Sequence, residues 1–295
     1  MNLSLSRSFP IAKAALAAAV IACVVALTCS LTGCASGGTD SSSADADNTS
    51  ASTDGKTLRV AMELAYPPFE TKDDAGNPEG LAVDFIRDFG AAYGYDVQIE
   101  NTAWDGLIPS LQSDKADLVI SSMTITDERK QSVDFSDAYA MAQLAILANA
   151  DSGVASIDDL NQPGKKVAVK TGSTGDVYAT KNLTNAEIVR LADESACVTE
   201  VVQGKADGFL YDQLTIYRNH QANPDTTEAV FIPFQDAEEW GIAVKKGNTE
   251  LLDQLNAFIA QSKTDGEFDR LTEKYLADEK NAFDQYGFKW FFDFE

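Results

Sequence analysis

Strand-like and helix-like segments alternate along the chain from about residue 56, and this alternation restricts the possible folds more than any other feature. The run LRVAMEL at 58–64 predicts a strand, and LAVDFIRDFGAAYG at 81–94 spaces its large apolar residues as a helix does. Further strands are predicted at 96–100, 117–120, 144–148, 166–170, 187–191, 208–211 and 241–245. Because strands that alternate with helices form parallel or mixed sheets covered by helices, the predicted fold class is α/β.

The length of the chain and one break in its pattern favour two structural units. The chain has 295 residues, of which 44% are hydrophobic, and this exceeds the usual size of one domain. A polar break at 149–156 is followed by DLNQPGKKVAVKTGSTGD at 159–176, which restarts a strand-loop-helix unit. We therefore expect a second lobe to begin near this break.

Charge and residue usage exclude several classes of function. The formal net charge of −23 argues against nucleic acid as a partner, because binding phosphates requires clustered Lys and Arg. The single histidine, His220, has no cysteine near it in sequence, and Cys197 lies in a run with helical spacing where a buried packing role is expected. We therefore expect no metal site, no cofactor and no catalytic Cys-His pair.

The first 55 residues have the composition of an export signal followed by a tether. Two basic residues precede an apolar run at 14–31, which ends in Leu-Thr-Gly-Cys at 31–34. LTGC resembles the lipobox of bacterial lipoproteins, which implies cleavage of a signal peptide at 1–33 and acylation of Cys34, with palmitate for example. A retained transmembrane anchor is the alternative. Residues 34–55 lack large apolar side chains and predict a flexible tether.

Several motifs in the body of the chain resemble one family in a collinear order. They are AYPPFE (65–70), AWDGLIPSLQSDKADLVISSMTITDERKQSVDFSDAY (103–139), KVAVKTGSTGD (166–176), LYDQ (210–213), GIAVKKGN (241–248) and LTEKY (271–275). This set is similar to the extracytoplasmic solute-binding proteins of polar amino-acid ABC transporters, of the bacterial family 3 type. The resemblance covers the chain from about residue 56 onward.

The resemblance implies a two-lobed periplasmic-binding-protein-like fold of type II, with two α/β lobes joined by two crossover strands. Lobe 1 is expected at 56–142 and 240–295, and lobe 2 at 143–239. Hinges are expected near 141–144 and 235–241. The lobes would close on one amino acid as a hinged clamp.

The stretch SMTITDERK at 122–130 is the candidate site for the α-carboxylate and the α-ammonium of that ligand. Arg129 supplies a planar group that fits a carboxylate in two hydrogen bonds, and the backbone N–H of Thr124 can add a third donor. The resemblance implies that the hydroxyl of Thr124 and the carbonyl of Ser122 face the ammonium. Taken without the motif, Arg129 is better explained as a solvated residue in the charged run DERK, and the full motif reverses this preference.

The Gly-rich turn KTGSTG at 170–175 follows a strand and precedes a helix. Its spacing does not match a phosphate-binding loop, and the backbone N–H groups of Ser173 and Thr174 suit a carboxylate better. Asp212 follows the strand GFLY, where the resemblance implies that it pairs with the ligand ammonium. A helix N-cap is its alternative role.

Four further residues are candidates for contact with the ligand side chain. By their positions in the motifs, Tyr66 and Trp104 are expected to sandwich it. Glu63 ends the first strand, and Lys170 can approach from the opposite lobe. An acid and a base facing one side chain suit a neutral amide such as glutamine. If Lys170 is turned away, Glu63 alone selects a basic side chain.

We therefore expect a non-enzymatic, monomeric binding protein, lipid-anchored to the outer face of the cytoplasmic membrane, which delivers a polar L-amino acid to an ABC permease. A cyclohexadienyl dehydratase-like enzyme on the same scaffold is one alternative, and a sensory ligand-binding module is another. The aromatic stretch KWFFDFE at 289–295 is expected either to pack on the body or to contact a partner.

Overall fold

The computed structural model describes residues 55–286 and 289–294. The predicted signal peptide 1–33, the lipidation residue Cys34 and all of the predicted tether except Gly55 lie outside the described residues. Among the described residues, no helix combines the length and the apolarity that crossing a bilayer requires.

The strands are short and are distributed over the whole described chain. They are β1 Lys56–Met62, β2 Thr71–Lys72, β3 Pro78–Glu79, β4 Tyr95–Asn101, β5 Leu118–Val119, β6 Val133–Phe135, β7 Ala140–Ala142, β8 Leu144–Asn149, β9 Lys166–Lys170, β10 Glu187–Leu191, β11 Gly208–Asp212, β12 Thr227–Val230, β13 Glu238–Trp240 and β14 Ala243–Lys245.

The helices fill the intervals between these strands. They are α1 Leu81–Tyr93, α2 Leu107–Gln112, α3 Asp127–Lys130, α4 Ile157–Leu160, α5 Thr174–Asn182, α6 Glu194–Val202, α7 Gln213–Ala222, α8 Thr249–Ser262, α9 Glu267–Tyr275 and α10 Ala277–Tyr286. A 3₁₀ turn at Trp104–Gly106 leads into α2.

Two mixed sheets form the two lobes, so the predicted two-lobed α/β class is confirmed. The sheet of lobe 1 has the order β4-β1-β5-β14-β6, in which β1 is parallel to β4 and β5 while β14 is antiparallel to its neighbours. The sheet of lobe 2 has the order β10-β9-β11-β8-β12, in which β8 is antiparallel to its neighbours. The late strand β14 therefore returns the chain to the first sheet.

Two crossover strands connect the lobes. β7 leads from lobe 1 directly into β8 of lobe 2, and β13 leads back into β14. The crossovers pair with each other as an antiparallel ribbon, with Glu238 opposite Ala142 and Trp240 opposite Ala140. Because both connections lie side by side, one narrow ribbon joins the lobes and can act as a hinge.

Each sheet is covered on both faces, as the alternating side-chain directions of β1 illustrate. Leu58, Val60 and Met62 point into a large core under α1, α8 and α9, whereas Ala61 points to the opposite face against α2. This inward and outward alternation follows from the period of two in a strand. In lobe 2, separate apolar clusters cover the two faces of the sheet in the same way.

The aromatic segment 289–294 packs against lobe 1, which is one of the two roles expected for it. Phe291 is fully buried, and its ring centroid lies 5.2 Å from that of Phe69 and 5.6 Å from that of Trp240. The backbone N–H of Met141, on the first crossover, donates to the carbonyl of Phe291 at 2.6 Å. The segment therefore supports both crossover strands from the side of lobe 1.

Candidate solute-binding site

One cleft between the lobes collects nine of the ten predicted ligand-binding residues. Its lining includes the predicted residues Glu63, Tyr66, Trp104, Ser122, Thr124, Arg129, Ser173, Thr174 and Asp212. Residues without a sequence prediction that also line it are Ser121, Leu144, Glu194, Tyr211, Glu238 and Trp240. Lys170, the tenth predicted residue, lines an adjoining cavity and contacts Glu63.

Arg129 projects its guanidinium from the short helix α3, where the Thr126 hydroxyl caps the helix by accepting from the Arg129 backbone N–H at 3.2 Å. Nη1 donates to the Thr124 carbonyl at 2.7 Å, and Nη2 donates across the cleft to the Gly172 carbonyl at 3.2 Å. Burial lowers the pKa of Arg129, and the nearby Glu238 acts in the opposite direction. A guanidinium carries five N–H donors, so these two bonds leave further donors available.

Among residues 55–286 and 289–294, no carboxylate oxygen lies within the 4.0 Å of an ion pair from the Arg129 guanidinium. The cation is held instead by carbonyl oxygens and by the Trp104 ring, whose centroid lies 5.2 Å from its Cζ. This arrangement holds a positive charge in place and keeps it available for an anion.

The backbone of Ser122 is held in the left-handed region, with φ of 47°. A non-glycine residue rarely adopts this conformation, so the surroundings must fix it. The Ser122 hydroxyl donates to the buried carboxyl of Glu70 at 2.7 Å, and its N–H donates to the Tyr139 hydroxyl at 3.1 Å. Burial raises the pKa of Glu70 well above its usual value. Glu70, the last residue of the AYPPFE motif, therefore fixes this turn through the Ser122 hydroxyl.

The Gly-rich turn of lobe 2 places the first residues of α5 at the cleft. A Cβ at Gly175 would lie 2.5 Å from the Leu210 carbonyl oxygen, which is too close. Glycine at this position therefore lets α5 approach β11 closely. The Ser173 hydroxyl caps the helix by accepting from the Asp176 N–H at 3.2 Å.

One detail of this turn differs from the expectation. The backbone N–H of Ser173 donates to the Lys170 carbonyl at 3.1 Å and so closes the turn instead of facing the cleft as a free donor. The amide of Thr174, the first residue of α5, is one of the donors that a helix N-terminus leaves without an intrahelical partner.

Asp212 has the N-cap role that the sequence gave as its alternative, and its side chain also lines the cleft. As the N-cap of α7, its Oδ1 accepts from the backbone N–H groups of Leu214 and Thr215, at 2.9 and 3.1 Å. The same oxygen accepts from the Tyr66 hydroxyl of lobe 1 at 2.7 Å, and Oδ2 accepts from the Thr215 hydroxyl. Burial raises the pKa of Asp212, and these donors counteract the rise. Asp212 is thus a fixed acceptor on the wall opposite Arg129.

A buried cluster of three charges lies beside the aromatic part of the cleft. The Lys170 ammonium contacts the carboxylate of Glu63 from lobe 1 and that of Glu194, at 3.0 Å, from lobe 2. The Lys170 side chain is 2% exposed, whereas both glutamate side chains are 13% exposed. Burial opposes the charge of Lys170, but Glu194 and Glu63 outweigh it and raise the pKa of Lys170. The cluster carries a formal charge of −1.

Glu194 was missed by sequence reasoning. It begins α6 at 131 positions from Glu63 along the chain, and no local pattern marks it. Its Oε1 also accepts from the Tyr211 hydroxyl at 2.8 Å. Burial raises the pKa of Glu194, while Lys170 and Tyr211 lower it.

The two predicted aromatic residues lie on the cleft in different settings. Tyr66 is 6% exposed, and its ring stacks on Phe69 with centroids 5.6 Å apart. Trp104 is half-buried, and its ring centroid lies 5.2 Å from the Lys170 Nζ as well as from Arg129. Trp240, which was not predicted, meets Tyr66 edge-on at 5.9 Å.

Cys197 and His220 do not line this cleft. Cys197 is buried in the core of lobe 2, and burial raises its pKa to about 12, as expected for a packing cysteine. The Nδ1 of His220 lies 3.3 Å from the Thr227 hydroxyl. Within the described ranges, no group of three or more His, Cys, Asp or Glu side chains is arranged to hold a metal ion.

Two α/β lobes on a two-strand hinge, with opposite charges fixed on facing walls, define a hinged binding protein for a small polar solute. Residues 58–278 match the family described as bacterial extracellular solute-binding proteins, family 3. The chain belongs to this family.

Relatives with similar sequences include a probable histidine-binding protein of Neisseria gonorrhoeae, which is 36% identical over 76% of this chain and 85% of its own length. Among solved structures, an ancestral arginine-binding protein bound to arginine has a TM-score of 0.69 and 36% identity, and covers 75% of this chain and 98% of its own. An ancestral amino-acid-binding protein, a precursor of cyclohexadienyl dehydratase, has a TM-score of 0.68 and 38% identity over 74% of this chain and 94% of its own.

Proposed function

We propose that this chain is the solute-binding component of an ABC importer, which captures a polar L-amino acid outside the cytoplasmic membrane and delivers it to a permease. Membership of the solute-binding family supports this proposal, as do relatives whose names describe histidine and arginine binding. The proposal includes a monomer anchored through an acylated Cys34, which the LTGC motif supports.

The observation that carries the proposal is a cation and an anion on opposite walls of one cleft. Arg129 of lobe 1 has no carboxylate partner among the described residues, and Asp212 of lobe 2 is held by four hydrogen bonds. A zwitterion needs both partners in a desolvated site. In our assignment, Arg129 and the Thr174 amide bind the α-carboxylate, while Asp212, the Thr124 hydroxyl and the Ser122 carbonyl accept from the α-ammonium.

The charge cluster suggests the nature of the ligand side chain. Lys170 uses one oxygen of Glu63 and one of Glu194, so each carboxylate keeps a second oxygen that makes no hydrogen bond to a described residue. These oxygens accept hydrogen bonds, and the formal charge of −1 favours a cation. We infer that a basic side chain such as that of arginine fits best.

Glutamine is the second ligand to consider, because its amide can donate to these oxygens and accept from the remaining N–H of Lys170. One scaffold can accommodate both side chains, since the ancestral arginine-binding protein also has a structure bound to glutamine.

Calorimetric titration against a panel of common L-amino acids tests the proposal. The purified full-length protein is first unfolded and refolded to remove carried-over solute. Micromolar or tighter binding of arginine, with glutamine weaker, is the expected result. The opposite order would refute the charge argument, and no binding across the panel would refute the proposed function.

Arg129→Ala tests the carboxylate assignment. Loss of a buried charge partner costs about 2–5 kcal/mol, so we expect at least about 30-fold weaker binding. Arg87→Ala removes an exposed arginine of α1 and is the matched control, with unchanged binding expected. Equal affinities of the two variants would contradict the assignment.

A dehydratase on the same scaffold is the second candidate, and one structural neighbour favours it as the precursor of such an enzyme. Proton transfer would require a general acid or base in the cleft, and Glu194, whose pKa burial raises, is the group with suitable chemistry. Turnover of prephenate or arogenate, followed by absorbance, distinguishes the candidates. We propose that neither compound is consumed.

A further inference from the structure

Glu238 bridges the two lobes from the second crossover strand. Its Oε2 accepts from the Thr124 hydroxyl of lobe 1 at 2.9 Å and from the Thr174 hydroxyl of lobe 2 at 2.8 Å. Its Oε1 accepts from the Gln235 side-chain amide at 2.7 Å. The carboxylate is half-buried and lines the same cleft as both threonines.

These contacts fix the direction in which two hydroxyl groups can hydrogen-bond. A threonine hydroxyl has one proton and two lone pairs, whereas an ionised carboxylate can only accept. The hydroxyls of Thr124 and Thr174 therefore each donate their only proton to Glu238. Toward the cleft, each oxygen presents lone pairs, so both hydroxyls act there as acceptors.

The hydrogen-bond partners of Glu238 suit the ionised form that this requires. Burial raises the pKa of Glu238, and the hydroxyls of Thr174 and Thr124, the Gln235 amide and the charge of Arg129 oppose this rise. All three hydrogen-bonding partners can serve as donors, as an acceptor-only carboxylate needs.

Glu238 and Arg129 influence each other through their charges. Among the described residues, no ion pair within 4.0 Å joins the two side chains, and Arg129 instead donates to the carbonyls of Thr124 and Gly172. The same cleft therefore contains the N–H donors of Arg129 and the two hydroxyl oxygens, which act as acceptors.

We propose that Glu238 is a positioning residue that sets the orientation of the bound amino acid by making the Thr124 and Thr174 hydroxyls acceptors. An α-ammonium donates to these oxygens, while an α-carboxylate placed there meets lone pairs and the negative charge of Glu238. The ligand carboxylate is thereby directed to the N–H donors of Arg129 and of the Thr174 backbone. This inference rests on the proposed function, because it concerns the α-groups of an amino acid in the same cleft.

The inference predicts a strong requirement for the α-ammonium, which Glu238 controls. The probes are two pairs that differ only in this group: L-arginine with 5-guanidinopentanoate, and L-glutamine with glutaramate. Affinities of both members are measured by calorimetry or by competition, and their ratio is the discrimination factor. Glu238→Met removes the acceptor at similar side-chain length, and Glu238→Gln keeps an amide oxygen that can accept from both hydroxyls.

We expect the discrimination factor of Glu238→Met to fall at least about tenfold below that of the wild type, because hydrogen bonds to a charged group are lost or weakened. Glu238→Gln should retain most of the factor. Equal loss in the Gln and Met variants would show that only the charge of Glu238 matters and would overturn the inference. Equal weakening for both members of a pair would show a merely structural role and would also overturn it.

A second variant keeps the test decisive if Glu238→Met does not fold. Thr174→Val removes one hydroxyl at nearly constant shape and leaves Glu238 in place, so the discrimination factor should again fall. An unchanged factor in Thr174→Val would contradict the inference. If the wild type binds neither L-arginine nor L-glutamine and the wider panel is also silent, the proposed function itself fails, which is a different outcome.

Discussion

Replacing Lys170 by methionine should change the preference of the site for arginine over glutamine and leave the fold intact. Lys170 is the only cation that the structure places between Glu63 and Glu194, as far as the described residues show. Methionine keeps the apolar length of the side chain and removes the charge. The formal charge of the cluster then changes from −1 to −2, and a ligand cation can occupy the position between the two carboxylates.

The magnitude follows from the burial of the three groups. Breaking a fully buried ion pair costs about 3–5 kcal/mol, because an unpaired charge remains. Here both carboxylates are 13% exposed and line an open cleft, so solvent screens part of this cost. We expect the difference in binding free energy between arginine and glutamine to change by about 2 kcal/mol in favour of arginine. This corresponds to a roughly 30-fold gain in the preference for arginine over glutamine.

Calorimetric titration of arginine and glutamine against both proteins measures this preference. Lys166→Met is the matched control, since Lys166 lies on the same strand, has a side chain that is 47% exposed and pairs with Glu187 at 3.8 Å outside the cleft. The control should bind as the wild type does. If the ratio of the arginine and glutamine affinities in Lys170→Met stays within about threefold of the wild-type ratio, the cluster does not select the ligand side chain and the reasoning is refuted.

Three further predictions concern stability and location. Phe291→Ala should lower the free energy of unfolding by about 3–5 kcal/mol in urea denaturation, because it empties a fully buried aromatic position; Phe294→Ala, at a half-buried position, should cost far less. The raised pKa of Lys170 stabilises the folded state below the usual lysine pKa of about 10.4, and this contribution is lost as pH rises through the folded pKa. The wild type should therefore lose stability more steeply than Lys170→Met as pH rises above about 10.4, and parallel curves would contradict this. Cys34→Ser should release the protein from the membrane fraction on immunoblots, whereas Cys29→Ser, within the predicted signal peptide, should not.

The regular elements were accessible from the sequence because burial leaves a pattern of apolar residues. The strands predicted at 166–170 and 187–191 have those bounds in the structure, and the helix predicted at 81–94 spans 81–93. The crossovers β7 and β13 were expected only through the family resemblance, with hinges near 141–144 and 235–241, and their own residues did not mark them as strands. Each has only three residues, which is too short for an alternating pattern to be distinguished from chance.

Recognition of the site depended on how local each contact is. Thr124 and Arg129 lie five positions apart in one motif, so a sequence pattern could identify them together. Glu194 and Glu238 acquire their roles only through tertiary contacts, with Lys170 and with the two threonines respectively. A glutamate that opens a helix and one in the run DAEEW carry no local sign of a buried partner. Both types of position are ordinarily solvent-exposed.

Under the proposed function, the contacts across the cleft connect solute binding to lobe closure. Glu63 reaches Lys170, Tyr66 reaches Asp212, and Thr124 and Thr174 meet on Glu238. The residues assigned to the solute are thus the same ones that join the lobes. Because a ligand shifts a conformational equilibrium only by its difference in affinity for the two states, a solute that touches both walls must favour closure. These polar groups already bond to each other, so a solute has to match their donors and acceptors in order to bind. A change at Glu238 or Lys170 should therefore affect ligand selectivity more than it affects the fold.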